Sequence, residues 1–505
     1  MQDVAHDIES PEMAGAKRQA LRLIAGFLVL RLVVSWVFPA TVDESYAIAV
    51  SRGWSLSYFD HPPVGFTLAH LMAWLSGTES TFVVRLPFIF AGAVSAWLVW
   101  DITRLAYGEK AAFWALAWFS VAPFFFISAG HFIVPDGPLN LGLLATLRLV
   151  LPDLLAPGRR LHAGRWFAAG VFFALALASK YQAVLFGVSA LAFLLASPPH
   201  RRLFASPVLW ATLAIALLGL VPTLVWNAQN GWISFAFQSG RAGAGTPGLQ
   251  LRNLASTALG QMLYLLPGTW IVIMVTATCG ILRPVTVADR LFAWFAILPP
   301  ALFLAIALVS RNSLPHWAMS GFLFGFPLAG RWTARALPRY SRAIRLSWRA
   351  SALGIPLLAL LVGLQTGAGL FTRPFYDAAP RWDFDWQMTD WTALREAWPQ
   401  LGAPGAVVVR NWVTGAKAGH ALGPDVAVFP IQDPRHFQYL ATGSPAKAIA
   451  VHAARPHETE DVLRWFPALL TSNGYRLAEE PRVLRQMAGN QIRFVIVAIP
   501  VERAE

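Results

Sequence analysis

Residues 82–103 read FVVRLPFIFAGAVSAWLVWDIT, and this apolar stretch decides the fold. A helix that crosses a bilayer needs about 20 mostly apolar residues, so the stretch is long enough to span a membrane. Similar stretches recur near residues 20–40, 111–129, 137–152, 166–179, 183–197, 208–226, 255–279, 291–309, 317–330 and 351–370. The sequence therefore predicts an α-helical polytopic membrane protein with about eleven transmembrane helices.

The composition supports this fold class. The 505 residues are 56% hydrophobic and only 13% charged, with a mean hydropathy of +0.51, which is too apolar for a soluble globular protein. The first span lacks the short apolar core and cleavage site of a secretory signal, so we expect it to be retained. Cys279 is the only cysteine, which excludes an internal disulfide.

The distribution of Lys and Arg predicts the orientation. Cytoplasmic loops of membrane proteins are enriched in these residues, and alternate loops here carry them. The basic positions are Lys17, Arg18, Arg22, Arg104, Lys110, Arg159, Arg160, Arg165, Arg201, Arg202, Arg283, Arg290, Arg331, Arg335, Arg339, Arg342, Arg345 and Arg349. The opposite loops then face the periplasm of a bacterial inner membrane. The net charge of +13 is explained by topology and contact with membrane lipids, so we expect no nucleic-acid partner.

The composition changes after Leu370, which predicts two domains. Residues 1–370 form a transmembrane domain with a periplasmic loop at 41–81, and residues 371–505 form a small soluble α/β domain, also periplasmic. Short β-like runs occur at Ala406–Val409, Val426–Phe429, Ala448–Val451 and Phe494–Ile499. The segment Glu458–Leu470 has helical spacing.

The first periplasmic loop begins with two acidic residues, Asp43 and Glu44. Ionisable groups at the end of a span are expensive unless they are paired, hydrated or functional. A carboxylate there could act as a general base toward an acceptor hydroxyl or amine. The alternative is that Asp43 caps a surface helix that starts near Ser45.

Further along this loop, the double proline Pro62-Pro63 follows Asp60 and His61. The prolines fix the backbone, and a rigid turn presents both side chains well for contact with a phosphate or a metal. A local hydrogen bond between the two is the simpler alternative.

Five short motifs together resemble one enzyme family. They are Asp43-Glu44-Ser45-Tyr46, Tyr58–Pro63, Arg85-Leu86-Pro87, Val134-Pro135-Asp136 and Ser179-Lys180-Tyr181. Their order and spacing over residues 20–330 resemble the polyprenyl-phosphate-sugar-dependent glycosyltransferases of C-type (GT-C) fold, which include protein O-mannosyltransferases and lipid A aminoarabinose transferases. The resemblance implies that Asp43 is the base, that His61 and Lys180 face the lipid-linked phosphate, and that Asp136 supports the site.

The chemistry of single residues is compatible with this assignment. A lipid phosphate that leaves as an anion needs cationic help, which Lys180 could provide, although a structural lysine would snorkel to the headgroups instead. Arg311 precedes another short outer loop that contains His316 and Trp317; this loop could contact phosphate and sugar, or could be an interfacial anchor. No cofactor is certain, and a divalent metal ion near Asp60 is left open.

The sequence thus predicts an inverting glycosyltransferase that moves a sugar from a polyprenyl-phosphate donor to a cell-envelope acceptor. Lipid A or a core glycan is the favoured acceptor, and another lipid, glycan or protein hydroxyl stays open. The alternative is a secondary transporter of an anionic or amphipathic solute. Transporters place charged residues near the bilayer midplane within broken helices, whereas these residues lie at segment ends on one side.

Overall fold

The computed structural model describes residues 11–243, 248–310, 313–369, 385–441, 443–488 and 491–504. The chain divides into two compact units. Unit 1 comprises Met1–Leu32, His61–Val64 and Phe88–Ile355, and unit 2 comprises Val33–Asp60, Gly65–Pro87 and Pro356–Glu505. The first loop, predicted as part of the transmembrane domain, therefore clusters with the C-terminal residues.

Helices dominate the chain up to residue 368. Their bounds are α1 Pro11–Val37, α2 Val42–Ser51, α3 Val64–Ser76, α4 Thr81–Tyr107, α5 Glu109–Val121, α6 Asp136–Leu155, α7 Ala163–Leu177, α8 Val184–Ala196, α9 Pro207–Leu217, α10 Val221–Gln229, α11 Ile233–Gly243, α12 Leu251–Leu265, α13 Pro267–Leu282, α14 Val287–Val309, α15 Met319–Phe322 and α16 Phe326–Ala368. A π-helical turn, Phe124–Ser128, precedes α6, and a 3₁₀ turn, Pro315–Ala318, precedes α15.

Six helical segments in the described part of the chain are long and apolar enough to cross a membrane, or up to eight if each of two bent helix pairs is one span. Each predicted stretch corresponds to a helix, but several are shorter or broken. The segments near 317–330 and 351–370 lie in one continuous run, Pro315–Gly367, and α12 and α13 meet at a bend of 105°. The chain is therefore a polytopic helical membrane protein, with fewer full-length spans than the apolar runs suggested.

Close packing of α6 against α7 fixes two candidate site residues in unit 1. A Cβ atom at Gly142 of α6 would lie 2.8 Å from the carbonyl oxygen of Phe172 and 3.0 Å from the Cβ of Ala176, both in α7. Small residues allow such close approach of helices in membranes. The first turn of α6 carries Asp136, and Lys180 lies three residues beyond α7.

The C-terminal part of unit 2 is built on a six-stranded sheet. The strands are β1 Ala406–Val409, β2 Ala427–Pro430, β3 Lys447–Ala454, β4 Tyr475–Leu477, β5 Arg482–Ala488 and β6 Gln491–Arg503, in the order β2-β1-β3-β6-β4, with β5 also paired to β6. Strands β2, β1 and β3 are parallel, and β6 is antiparallel to β3, β4 and β5. In the described part of this region, three α-helices accompany the sheet: α17 Thr392–Ala397, α18 Trp412–Leu422 and α19 Thr459–Ser472.

The predicted α/β composition of this region is confirmed. All four predicted runs lie within or overlap strands, and the predicted helix at Glu458–Leu470 corresponds to α19. The sequence did not predict α18 or strands β4 and β5. Residues 371–384, where the predicted domain starts, lie outside the described residues, so the boundary at 370 stays a prediction.

Candidate active site

The acidic pair of the first loop lies in the first turn of α2. Thr41 is the N-cap: its hydroxyl accepts a hydrogen bond from the backbone N–H of Glu44, and the Glu44 carboxylate accepts one from the Thr41 N–H at 3.0 Å. This reciprocal capping box leaves Asp43 exposed on the first turn. The alternative that Asp43 caps a helix near Ser45 is therefore wrong, because Thr41 caps a helix that starts at Val42.

Glu44 is fully buried and bound on both oxygens by Arg85. The Arg85 Nε lies 2.7 Å from Oε1 and the Arg85 Nη2 lies 2.6 Å from Oε2, and both side chains have no exposed surface. Arg85 also donates hydrogen bonds to the carbonyl oxygens of Ser35, Phe38 and Pro39. The bidentate pair thus anchors the segment between α1 and α2. The geometry favours a positioning role for Glu44 over contact with a substrate.

Lys417 and His420 of α18 contact this same segment, and sequence reasoning missed both. The Lys417 Nζ donates to the carbonyl oxygen of Ala40 at 2.7 Å and to the hydroxyl of Ser45 at 3.2 Å. The Ser45 hydroxyl lies 3.3 Å from Nδ1 of His420, whose Nε2 lies 3.4 Å from the Glu79 carbonyl oxygen. Because lysine can only donate, the chain of bonds runs from Lys417 through Ser45 to His420 and on to Glu79.

The burial of this network sets the charge of its members. Burial lowers the pKa of Lys417 to about 8, so the ammonium is still mostly charged near neutrality. Burial, and then the nearby Lys417 charge, lower the pKa of His420 to about 4, so its ring is neutral there. A neutral ring can accept from Ser45 at one nitrogen and donate at the other, as the network requires.

Asp60 lies beside an aromatic cluster in unit 2. Its Oδ1 accepts a hydrogen bond from the Tyr46 hydroxyl at 3.1 Å. Burial first, and then Asp60, raise the pKa of Tyr46 well above its ordinary value, so the phenol stays protonated and donates. The Tyr46 ring packs edge-on against Trp412 and Phe437, which fixes α2 against the C-terminal part of the unit.

In unit 1, Lys180 and Asp136 form a buried ion pair. The Lys180 Nζ lies 2.9 Å from Oδ1 and 2.8 Å from Oδ2 of Asp136, with side-chain exposures of 5% and 9%. Asp136 sits at the N-terminus of α6, where the helix dipole also favours its negative charge. Lys180 therefore does not snorkel to a headgroup, so that alternative is wrong.

The His61 turn is tied to the same region of unit 1. The backbone N–H of Val64, which follows the two prolines, donates to the carbonyl oxygen of Ala178 at 3.1 Å. Ala178 lies two residues before Lys180, so this hydrogen bond links the proline turn to the segment that carries the lysine. His61 itself is half-buried.

A second buried cation of unit 1, Arg31, binds the π-helical turn that precedes α6. Its guanidinium donates to the carbonyl oxygens of Phe125 at 3.1 Å and Phe126 at 3.3 Å. These carbonyls belong to the π-helical turn, whose irregular bonding occurs frequently at functional sites. Arg31 could have been found from the sequence, because it is a charge within an apolar stretch, and Arg85 already stood in one of the five motifs. Lys417 gave no such signal, since α18 is rich in small residues.

The remaining predicted residues are less defined. His316 lies half-buried in the 3₁₀ turn before α15, and Arg311 lies outside the described residues. Asp43, Glu44 and Asp60 belong to unit 2, whereas His61, Asp136, Lys180 and His316 belong to unit 1. Their convergence on one cavity stays a prediction. Within the described ranges, no three His, Cys, Asp or Glu side chains are grouped as metal ligands would be. A metal role for Asp60 stays a prediction.

Parts of the chain are similar to a known protein family and to two curated sugar transferases. Residues 60–226 match the family described as dolichyl-phosphate-mannose-protein mannosyltransferase. Lipid A galacturonosyltransferase RgtD of Rhizobium johnstonii is 24% identical over 315 residues, which cover 62% of this chain and 65% of that protein. Undecaprenyl phosphate-alpha-4-amino-4-deoxy-L-arabinose arabinosyl transferase 1 of Proteus mirabilis is 26% identical over 206 residues, which cover 38% of this chain and 37% of that protein. The chain thus spans less than two thirds of either curated relative.

The likeness extends to solved structures. The crystal structure of ArnT from Cupriavidus metallidurans bound to undecaprenyl phosphate aligns with a TM-score of 0.60 at 15% identity, over 95% of this chain and 97% of that one. At this identity the likeness shows the fold alone. The comparisons confirm the resemblance drawn from the sequence: the chain has the GT-C fold of the glycosyltransferases that use polyprenyl-phosphate sugars.

Proposed function

We propose that the protein transfers a sugar from a polyprenyl-phosphate donor to an acceptor of the bacterial cell envelope, with inversion at the anomeric carbon. The observation that carries the proposal is the exposed carboxylate of Asp43 on a helix turn anchored by the buried Glu44–Arg85 pair. A base must be accessible to its substrate and held in place, and Asp43 meets both conditions.

In the proposed reaction, the acceptor oxygen or nitrogen attacks the anomeric carbon and its proton passes to the Asp43 carboxylate. The bond between that carbon and the phosphate oxygen breaks, and the polyprenyl phosphate leaves with the electron pair. Attack opposite the leaving group inverts the anomeric centre. Glu44 is a positioning residue in this scheme, because Arg85 and Thr41 occupy its oxygens.

The leaving phosphate is assigned to the Lys180 region. An ammonium has three N–H donors, and two of them go to Asp136, which leaves the third for a phosphate oxygen. Asp136 orients the Lys180 Nζ through contacts of 2.9 and 2.8 Å to its two carboxylate oxygens. The ArnT structure bound to undecaprenyl phosphate supports a lipid phosphate as the leaving group.

For the acceptor, we propose lipid A or its core glycan at the periplasmic face of the inner membrane. One curated relative is named as a lipid A galacturonosyltransferase. The side is supported by the Lys and Arg bias, which places the basic stretch from Arg331 to Arg349 in the cytoplasm and the Asp43 loop opposite it.

The test is a transfer assay with the purified full chain in lipid nanodiscs. Radiolabelled undecaprenyl-phosphate sugars are offered with lipid A, and the product linkage is assigned by NMR. We expect transfer with inverted anomeric configuration for at least one sugar. Retention of configuration would contradict the direct-attack mechanism. Solute uptake into proteoliposomes without any transfer would favour the transporter alternative.

A further inference from the structure

Lys417 is a buried cation that the proposed reaction does not use. Its side chain is 2% exposed and lies on α18, far along the chain from the first loop. Its two hydrogen bonds among the described residues go to the start of that loop: one to the carbonyl oxygen of Ala40, directly before the loop, and one to the hydroxyl of Ser45 within it. All three residues belong to unit 2.

Stability alone is a poor explanation for a buried ammonium. Removing such a charge from water costs several kcal/mol, and apolar replacements of similar volume are often neutral or stabilising. Burial is the largest cause of the lowered pKa of Lys417, and the nearby carboxylates of Asp390 and Glu44 act in the opposite direction. A role in holding a particular backbone geometry accounts for a lysine at this position.

The two contacts bracket the proposed base. Ala40 directly precedes the N-cap Thr41, and Ser45 lies two residues after Asp43. Arg85 holds the same segment through the carbonyl oxygens of Phe38 and Pro39 and through Glu44. Two buried cations therefore bind consecutive parts of one short segment, and the exposed carboxylate of Asp43 lies between the residues they bind.

We propose that Lys417 is a positioning residue of the reaction: α18 of the C-terminal region fixes the first turn of α2 through Ala40 and Ser45, and thereby fixes Asp43. This inference rests on the proposed function for its effect on rate, and on geometry alone for its effect on α2. A displacement of about 1 Å can lower a rate about 10²-fold, so loss of the anchor is expected to reduce turnover without removing any contact to the donor.

The kinetic test uses Lys417→Met, which keeps the volume and removes the donor, and Lys417→Gln, which keeps an N–H donor without charge. Lys447→Met is the control, because that lysine lies in the same region with 79% of its side chain exposed. With donor and acceptor varied separately, Lys417→Met should lower kcat about 10–100-fold and leave KM for the donor nearly unchanged. Lys417→Gln should recover part of kcat, and Lys447→Met should match the parent protein.

A second measurement separates this inference from the proposed function. Hydrogen exchange of backbone amides in α2 should be faster in Lys417→Met than in the parent or Lys447→Met, whether or not the protein transfers sugar. Unchanged exchange in α2, or an unchanged kcat, would overturn the positioning role. A general loss of the folded state in both Lys417 variants would overturn it too, since Lys417 would then serve folding. Faster exchange in α2 without sugar transfer by the parent protein would retain the anchor and reject the proposed function.

Discussion

Asp43 and Glu44 are neighbours in the sequence with opposite surroundings. Asp43 is exposed in the first turn of α2, whereas Glu44 has no exposed surface and is bound by Arg85. The sequence showed two acidic residues after a span, and the family resemblance singled out Asp43 as the base without showing how the surroundings of the two residues differ. The division follows from the capping box, which turns the Glu44 side chain back toward Thr41.

This difference predicts separate effects for two matched substitutions. Asp43→Asn should keep the fold and lower turnover about 10²–10⁴-fold, because a positioned base contributes that much. Glu44→Gln should instead destabilise the protein by about 3–5 kcal/mol, since it leaves the Arg85 charge buried without its partner. A transfer assay and a thermal unfolding measurement on both variants distinguish the two roles. Near-parental turnover by Asp43→Asn would contradict the assignment of the base.

The Lys180–Asp136 pair predicts an effect on the donor. Lys180→Met should raise the dissociation constant for undecaprenyl phosphate about 10–100-fold, because a hydrogen bond to a charged group is worth about 1.5–3 kcal/mol. Asp136→Asn keeps the Lys180 side chain and should bind the donor more tightly than Lys180→Met does. Equilibrium binding of a labelled undecaprenyl phosphate measures both. Equal affinities in Lys180→Met and the parent protein would remove the lysine from the phosphate site.

At the scale of elements, regular patterns were predictable and small-residue elements were not. The runs at Ala406–Val409 and Ala448–Val451 are continuous and apolar because these strands are buried, and they became β1 and part of β3. Helix α18 reads WVTGAKAGHAL, with two glycines, and its apolar spacing gave no clear signal. The unpredicted α18 carries Lys417 and His420, so the part of the site that it contributes could not be inferred from the sequence.

The close contact between α6 and α7 predicts an effect of a single methyl group. Gly142→Ala adds a Cβ 2.8 Å from the Phe172 carbonyl oxygen, so the helices must move apart, and the Asp136–Lys180 pair at their ends should loosen. We expect lower thermal stability in detergent and weaker donor binding. The control is Gly354→Ala in α16, where no described atom beyond the adjoining residues and the backbone of the helix itself lies within 4 Å of the added Cβ. Higher stability in both variants would show that helix propensity outweighs the contact.

The packing of β3 against α19 predicts an acid-sensitive element. Burial first, and then Arg410, lower the pKa of His452 to about 4, and its ring packs edge-on against Trp465. In the unfolded state His452 has the ordinary histidine pKa of about 6.5. Between pH 6.5 and pH 4 the unfolded state therefore holds more protons than the folded state. His452 therefore does not lower the free energy of unfolding above pH 6.5. As the pH drops from 6.5 toward 4, its titration lowers the free energy of unfolding by about 1–3 kcal/mol.

His452→Phe should remove this dependence, because phenylalanine fits the aromatic contact and does not titrate. The measurement is the ratio of hydrogen-exchange rates in β3 between variant and parent at each pH, which cancels the intrinsic pH effect on exchange. The exposed His457 provides the control variant, His457→Phe. A constant ratio from pH 7 to pH 4.5 would contradict the predicted role of His452.

For the whole molecule, composition and charge bias were sufficient to predict a polytopic helical membrane protein with a small α/β region. The count of spans was less predictable, because apolar composition does not show where a helix bends or ends. The 105° bend between α12 and α13 lies at Leu266, whose φ is +68°, and α13 begins at the next residue, Pro267. Such a local backbone geometry depends on packing that no hydropathy window reports.

The predicted orientation can be measured with single cysteines. After Cys279→Ser, the variants Ser76→Cys, Ser239→Cys and Ser444→Cys should react with an impermeant thiol reagent added from the periplasmic side, because all three positions are exposed. Ser347→Cys, also exposed but within the basic stretch of α16, should stay unlabelled. The reverse pattern would place the Asp43 loop in the cytoplasm.

The long separation between Lys417 and Ala40 has a consequence for biosynthesis. Arg85 is translated only 41 residues after Glu44, whereas Lys417 follows Ala40 by 377 residues. At about 5–20 residues per second, the ribosome needs roughly 20–75 seconds to supply that last contact. During this interval the nascent chain can form the Glu44–Arg85 pair, but it cannot form the Lys417 contacts that we propose to position Asp43. If Lys417 has the proposed positioning role, a chain released early by a stop codon before α18 should turn over at least about 10–100-fold more slowly than the full chain.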